Sequence, residues 1–137
     1  MSDRILLDTN LWVYLFTSSE NEKQQKIQTL IDDNFQSVVV SSQILGELFN
    51  VFTKKNLKST EAAKEVILEI VATFPVVEVD TLKVLQAINI NTKYGYSYWD
   101  SLILATALVN NCATVYSEDM HHDQLIEDTL RITNPLL

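Results

Sequence analysis

The chain is poor in the residues that break or staple a fold. Among 137 residues there are two Gly, two Pro and one Cys. So few Gly and Pro argue against a loop-rich scaffold and for regular elements joined by short connections. The lone Cys112 excludes an intramolecular disulfide, and a reducing, cytoplasmic setting is expected, with the thiol in a core strand. One Cys and two His supply no set of ligands at zinc spacing. The apolar stretch from Ile5 to Phe16 is interrupted by Asp8 and Asn10 and is too short to span a bilayer, and it has no small-residue cleavage pattern. No membrane association is therefore expected. Positive charge is also scarce, with 10 Lys and Arg against 18 Asp and Glu, a net charge of −8. That is the wrong overall sign for a phosphate-rich partner. A negative total can nonetheless hide a local basic patch, and it also suits a basic protein partner.

What is present is a core. Hydrophobic residues make up 47% of the chain, which excludes a disordered one, and the length is that of one domain, 1–137. Ile5 to Leu7 reads as a short buried strand followed by a helix from about Asn10, and Asn21 to Ile31 as a polar helix. Val38 to Val40 is a second strand, after which Ser41 or Ser42 caps a helix running to about Lys54. Thr60 is expected to cap a helix from Glu61 to about Thr73, with Ala62, Val66, Ile70 and Val71 on its apolar face. Pro75 precedes a third strand, Val76 to Val79, and Asp80 caps a helix from Thr81 to about Ile90. Ser97 opens an almost wholly apolar, hence buried, helix from Tyr98 to Asn110. Ala113 to Tyr116 is a fourth strand and Leu130 to Ile132 a possible fifth. Short apolar strands separated by helices predict an α/β three-layer fold, with a central parallel sheet of four to five strands flanked by helices.

Four acids fall at telling points of this pattern. Asp8 and Asp119 each follow a strand, so both belong at the carboxyl edge of the sheet, where ligands bind in such folds. Glu47 lies in the first two turns of the helix that leaves the second strand from that edge. The helix beginning at Tyr98 must run back across the sheet, which returns Asp100 to the same edge. Each acid also has an ordinary reading. Asp8 can cap the helix after it, and Ser97 with Asp100 matches a capping box. Glu47 can be an exposed flank and Asp119 a turn residue. Together at one edge they need more, because two carboxylates about 4 Å apart repel by roughly 4 kcal/mol at an effective dielectric of about 20. Such a cluster stays partly protonated or recruits a divalent cation, and all-oxygen ligation selects Mg²⁺ or Mn²⁺. That combination suits phosphodiester hydrolysis.

The segments Leu6-Leu7-Asp8-Thr9-Asn10, Glu47-Leu48, Trp99-Asp100-Ser101-Leu102-Ile103 and Tyr116-Ser117-Glu118-Asp119-Met120, with the tail Leu130-Arg131-Ile132-Thr133-Asn134-Pro135, together resemble the PIN domain family. Within it they are similar to the VapC-type toxins of bacterial toxin–antitoxin modules. The resemblance spans essentially the whole chain. It implies a metal-dependent endoribonuclease acting on cellular RNA, with Asp8, Glu47, Asp100 and Asp119 as the acidic set. Asp8, Asp100 and Asp119 would be the direct ligands, while Glu47 acts through water or orients the nucleophile. Thr9, Asn10 and Ser117 would be supporting polar groups. A homodimer and an inhibitory cognate antitoxin are also implied. Glu118 and Asp123 are further acids beside Asp119, and the sequence does not say which of them reaches the metal.

Lys54, Lys55 and Lys58, with Lys64 nearby, form either a solvated helix end or a phosphate-contacting patch. Trp12, Tyr14 and Phe16 read as packing residues rather than base-stacking ones, and His121 and His122 as exposed loop residues. Two rival readings are a PIN module serving protein association with a vestigial metal site, and a phosphorylation-receiver domain. The second needs paired acids at the end of strand one and a Lys after the last strand. Asp3 lies at the wrong end, and no Lys follows Asp119.

Overall fold

The structure is a computed structural model and describes residues 3–137. Six strands are present among the described residues: β1 (Ile5–Leu7), β2 (Val38–Ser41), β3 (Val76–Val77), β4 (Thr114–Tyr116), β5 (Leu125–Ile126) and β6 (Leu130–Thr133). They form one sheet in the order β3-β2-β1-β4-β6-β5. Every neighbouring pair is parallel except β5 with β6. The α/β architecture expected from the sequence is thus present, with five parallel strands and an antiparallel edge strand, β5, that the pattern did not reveal. Its two residues are too few to show alternation.

Among the described residues six α-helices cover the sheet: α1 (Thr9–Leu15), α2 (Asn21–Asp33), α3 (Ser42–Lys54), α4 (Thr60–Thr73), α5 (Thr81–Tyr94) and α6 (Tyr98–Val109). Helices α1 to α4 pack on one another, and α5 packs on α6. Because parallel crossovers are right-handed, the path out through β2 and β3 and the return to β4 put these two groups on opposite faces. Helix α6 is the core of its layer, buried from Ser101 through Ala107.

Several boundaries differ from the sequence reading. The cap of α4 is Ser59, whose Oγ accepts the Ala62 N–H at 3.1 Å, so the helix starts one residue earlier. Its buried face is Ala63, Val66 and Ile70, while Ala62 and Val71 point outward. Strand β3 stops at Val77 because the Val79 N–H turns to Ser42 Oγ (3.1 Å) instead of the ladder. Helix α5 continues to Tyr94 and is ended by Gly95, whose φ of 80° favours a residue without a Cβ. Strand β4 begins at Thr114, leaving Cys112 in the turn ahead of it rather than in a strand. The thiol is buried all the same, and burial pushes its pKa up to about 11 against the opposing pull of Arg4. Cys112 is accordingly expected to resist a thiol reagent such as DTNB in native buffer and to react fully in denaturant. Equal rates in both would contradict its burial.

Candidate active site

The reversal of strand order lies at β1, between β2 on one side and β4 on the other. In an open α/β sheet, that point leaves a crevice beyond the strand ends. The parallel register pairs Leu7 with Tyr116, so the next residues, Asp8 and Ser117, leave the sheet side by side. Ser117 Oγ donates to Asp8 Oδ2 at 2.9 Å, and the Thr9 N–H donates to Asp8 Oδ1 at 2.7 Å. Asp8 is therefore the N-cap of α1 and a member of the crevice at once. Asp8 is only 7% exposed. Burial raises its pKa to about 6, reinforced by the charges of Asp100 and Glu47 and opposed by the bonds from Ser117 and Thr9.

Ser41 ends β2 and caps α3 through the Ile44 N–H (3.1 Å), which sets Glu47 in the second turn facing the same crevice. Thr9 Oγ1 donates to Glu47 Oε1 (2.7 Å) and Gln43 Nε2 to Glu47 Oε2 (3.0 Å). Gln43 also reaches the Trp99 carbonyl at 3.1 Å, tying α3 to the start of α6. Ser97 caps α6 by accepting the Asp100 N–H (3.1 Å), one half of the capping box. Asp100 is raised from the ordinary carboxylate range, first by burial and then by the charges of Asp119 and Glu47, with Ser97 pulling the other way. Asp119 is steadied by Asn10 Nδ2, which donates to Oδ2 at 2.8 Å, and by its own N–H on Ser117 Oγ at 3.2 Å.

Asp8, Glu47, Asp100 and Asp119 line a single cavity of about 250 Å³, together with Thr9, Asn10, Asn50, Val51 and Ile103. The sequence reading missed Gln43, Asn50, Val51 and Ile103. Gln43 and Asn50 lie four residues before and three after Glu47, so helical spacing on the Glu47 face was the available signal. The donor chemistry suits a hard divalent cation, since the wall offers carboxylate, amide and hydroxyl groups without sulfur or imidazole. As the side chains stand, no three acidic, Cys or His groups among the described residues close on one point. Asp8, Glu47 and Asp119 are each turned onto protein donors instead, the arrangement that like-charge repulsion favours.

The PIN domain profile matches residues 5–127. The chain belongs to the PIN domain family. No curated protein matches it by sequence. Among solved structures, its PIN fold is similar to a DNA-bound VapBC from Salmonella typhimurium, with TM-score 0.74, 18% identity, and 98% and 99% of the two chains covered. It is also similar to a toxin–antitoxin complex from Klebsiella pneumoniae, with TM-score 0.72, 15% identity, and 96% and 97% covered. A third is VapC20 of Mycobacterium tuberculosis, a sarcin–ricin loop cleaving toxin, with TM-score 0.69, 19% identity, and 84% and 89% covered.

The other polar residues of this PIN domain have separate partners. Ser117 is fully buried behind Asp8. Glu118 accepts from the Tyr14 hydroxyl and pairs with Lys23 at 3.6 Å, and Asp123 pairs with Arg131 at 3.4 Å, so both carboxylates are engaged away from the four acids. Trp12 is core, edge-on to Phe74 at 5.5 Å, while Tyr14 and Phe16 are half-buried. His121 and His122 are exposed, and His122 Nδ1 accepts the Asn134 N–H (2.9 Å), which tethers the C-terminal tail. Among the described residues, no helix is long and apolar enough to cross a membrane.

Proposed function

We propose that residues 1–137 form a single nuclease domain, a Mg²⁺- or Mn²⁺-dependent endoribonuclease toxin that hydrolyses phosphodiester bonds of cellular RNA. The reading is supported above all by the convergence of four carboxylates from β1, α3, α6 and the end of β4 on one cavity. Asp8, Asp100 and Asp119 would hold the cation. When bound, a divalent cation supplies Lewis acidity that makes water a better nucleophile near neutral pH and offsets charge building on the phosphate. Ser117 and the Thr9 N–H fix both oxygens of Asp8, and Asn10 orients Asp119. Glu47, held by Thr9 and Gln43, would orient the attacking water. In this reading the acids position groups and do not donate protons.

Control by a cognate antitoxin is supported by fold similarity to proteins solved as toxin–antitoxin complexes. A homodimer and a cytoplasmic site of action belong to the same reading. Cleavage of a panel of cellular RNAs with Mg²⁺ or Mn²⁺ tests it. Asp100→Asn is expected to lower the rate by at least about 100-fold, since loss of groups that merely support a metal ligand already costs about 10–100-fold. Cleavage by Asp100→Asn at the wild-type rate would remove the assignment. Absence of any Mn²⁺-dependent thermal shift would favour a protein-association module instead.

A further inference from the structure

A second cavity, of about 270 Å³, shares Asn10 and Val51 with the four-acid cavity and continues it along α3 towards Lys55. Gln43, Glu47, Val51 and Lys55 are spaced by four residues, so they form one row down that helix. At about 1.5 Å per residue, Lys55 stands about 12 Å beyond Glu47.

Half of the ten cations of this acidic chain are neutralised by ion pairs. Lys23 pairs with Glu20 and Glu118, Lys26 with Glu22, Lys83 with Asp80, Lys93 with Glu127 and Arg131 with Asp123. Lys54, Lys55, Lys58 and Lys64 form no ion pair among the described residues, and of these only Lys55 lines either cavity. Lys58 lies instead over the Phe52 ring, at 5.6 Å. The one carboxylate in the wall of the second cavity, Glu20, is already paired with Lys23 at 3.3 Å. Lys55 therefore offers uncompensated positive charge at the end of a channel that starts among four acids. Ser19 and Thr17 add hydroxyls to the wall, and Tyr14 also lines it, with its hydroxyl committed to Glu118 and Lys23 over its ring at 4.6 Å.

We infer that this second cavity is a subsite for one unpaired nucleotide of the RNA substrate, with its phosphate on Lys55. The inference rests on the proposed ribonuclease reading. The separation from Glu47 makes the phosphate a flanking one, not the one cleaved. A cavity of about 270 Å³ takes one nucleotide, which single-stranded RNA, whose units splay apart, can present and a stacked duplex cannot.

Fluorescence anisotropy of an end-labelled, mixed-sequence single-stranded RNA, titrated at several salt concentrations, tests the subsite. Each phosphate contact on a single strand contributes about 0.7 to the slope of log affinity against log salt. Lys55→Ala is expected to reduce the slope by about that amount, and Lys55→Arg to restore it. Lys64→Ala, also unpaired but outside both cavities, should leave the slope unchanged. Ser19→Trp, which fills the exposed mouth without altering charge, should weaken binding severalfold with the slope kept. Equal slopes for wild type and Lys55→Ala, or equal losses for Lys55→Ala and Lys64→Ala, would overturn the subsite and leave the cavity to a protein partner. Wild-type protein that does not bind the RNA at all would instead overturn the ribonuclease reading beneath it.

Discussion

Asp8→Asn is expected to make the metal-free protein more stable at neutral pH while removing nuclease activity. The buried Asp8 carboxyl has its pKa raised from 3.8 to about 6. Between these two values the unfolded chain has given up the proton and the folded chain still holds it, so folded-state stability falls as pH rises through that window. Below about 3.8 both states are protonated and there is no penalty; above about 6 the penalty is complete, at about 3 kcal/mol. An Asn side chain can still accept the Thr9 N–H and pair with Ser117, but it carries no charge to desolvate. Urea unfolding in chelator should show wild-type stability declining between about pH 4 and 6, with Asp8→Asn flatter and ahead above pH 6 by up to about 3 kcal/mol. An Asp8→Asn protein less stable than wild type at pH 7 would mean that the hydrogen bonds outweigh the buried charge. The neighbouring Asp100 is raised in the same direction, so some residual slope of the same sign should survive in the variant.

The second large effect belongs to the scaffold. Leu104 is fully buried in α6, the helix whose first turn presents Asp100 to the cavity. Leu104→Ala removes core contacts and leaves a void, at an expected cost of about 2–5 kcal/mol. The variant should unfold at markedly lower urea concentration, yet cleavage per folded molecule should remain close to wild type, because Leu104 is not in the cavity wall. A loss below about 1 kcal/mol would place α6 at the periphery, contrary to its burial. Set against Asp8→Asn, which should be more stable and inactive, this variant separates holding the site in place from performing its chemistry.

Particular residues show why some of this could be read from the chain and some could not. Strand Ile5–Leu7 and the three valines that open Val38–Ser41 are continuous apolar runs because these central parallel strands are covered on both faces. That pattern is local, so it was legible. The start of α4 was misread by one position because Ser59 and Thr60 are both competent caps, and on its face Val66 and Ile70 were read correctly while Ala63 is buried in place of Ala62 and Val71. Strand β5 was invisible because two residues carry no period.

By itself the sequence determined the layer order and the edge to which Asp8, Glu47, Asp100 and Asp119 belong, because topology follows from the order of apolar segments and from crossover handedness. It also carried the motifs of the PIN domain family. The caps at Asp8 and Ser97 are local and legible, whereas the tertiary structure alone decided the contacts that tie the acids to one another's elements. Thr9 reaches Glu47, Asn10 reaches Asp119 and Ser117 reaches Asp8 across elements distant in the chain, and these pairs meet only once the sheet is formed. It also turned Glu118 towards Tyr14 and Lys23, and Asp123 towards Arg131, although both flank Asp119 in the chain. Hydrogen-bond partners and desolvation depend on what lies within a few ångströms in space, and spacing along the chain does not encode that.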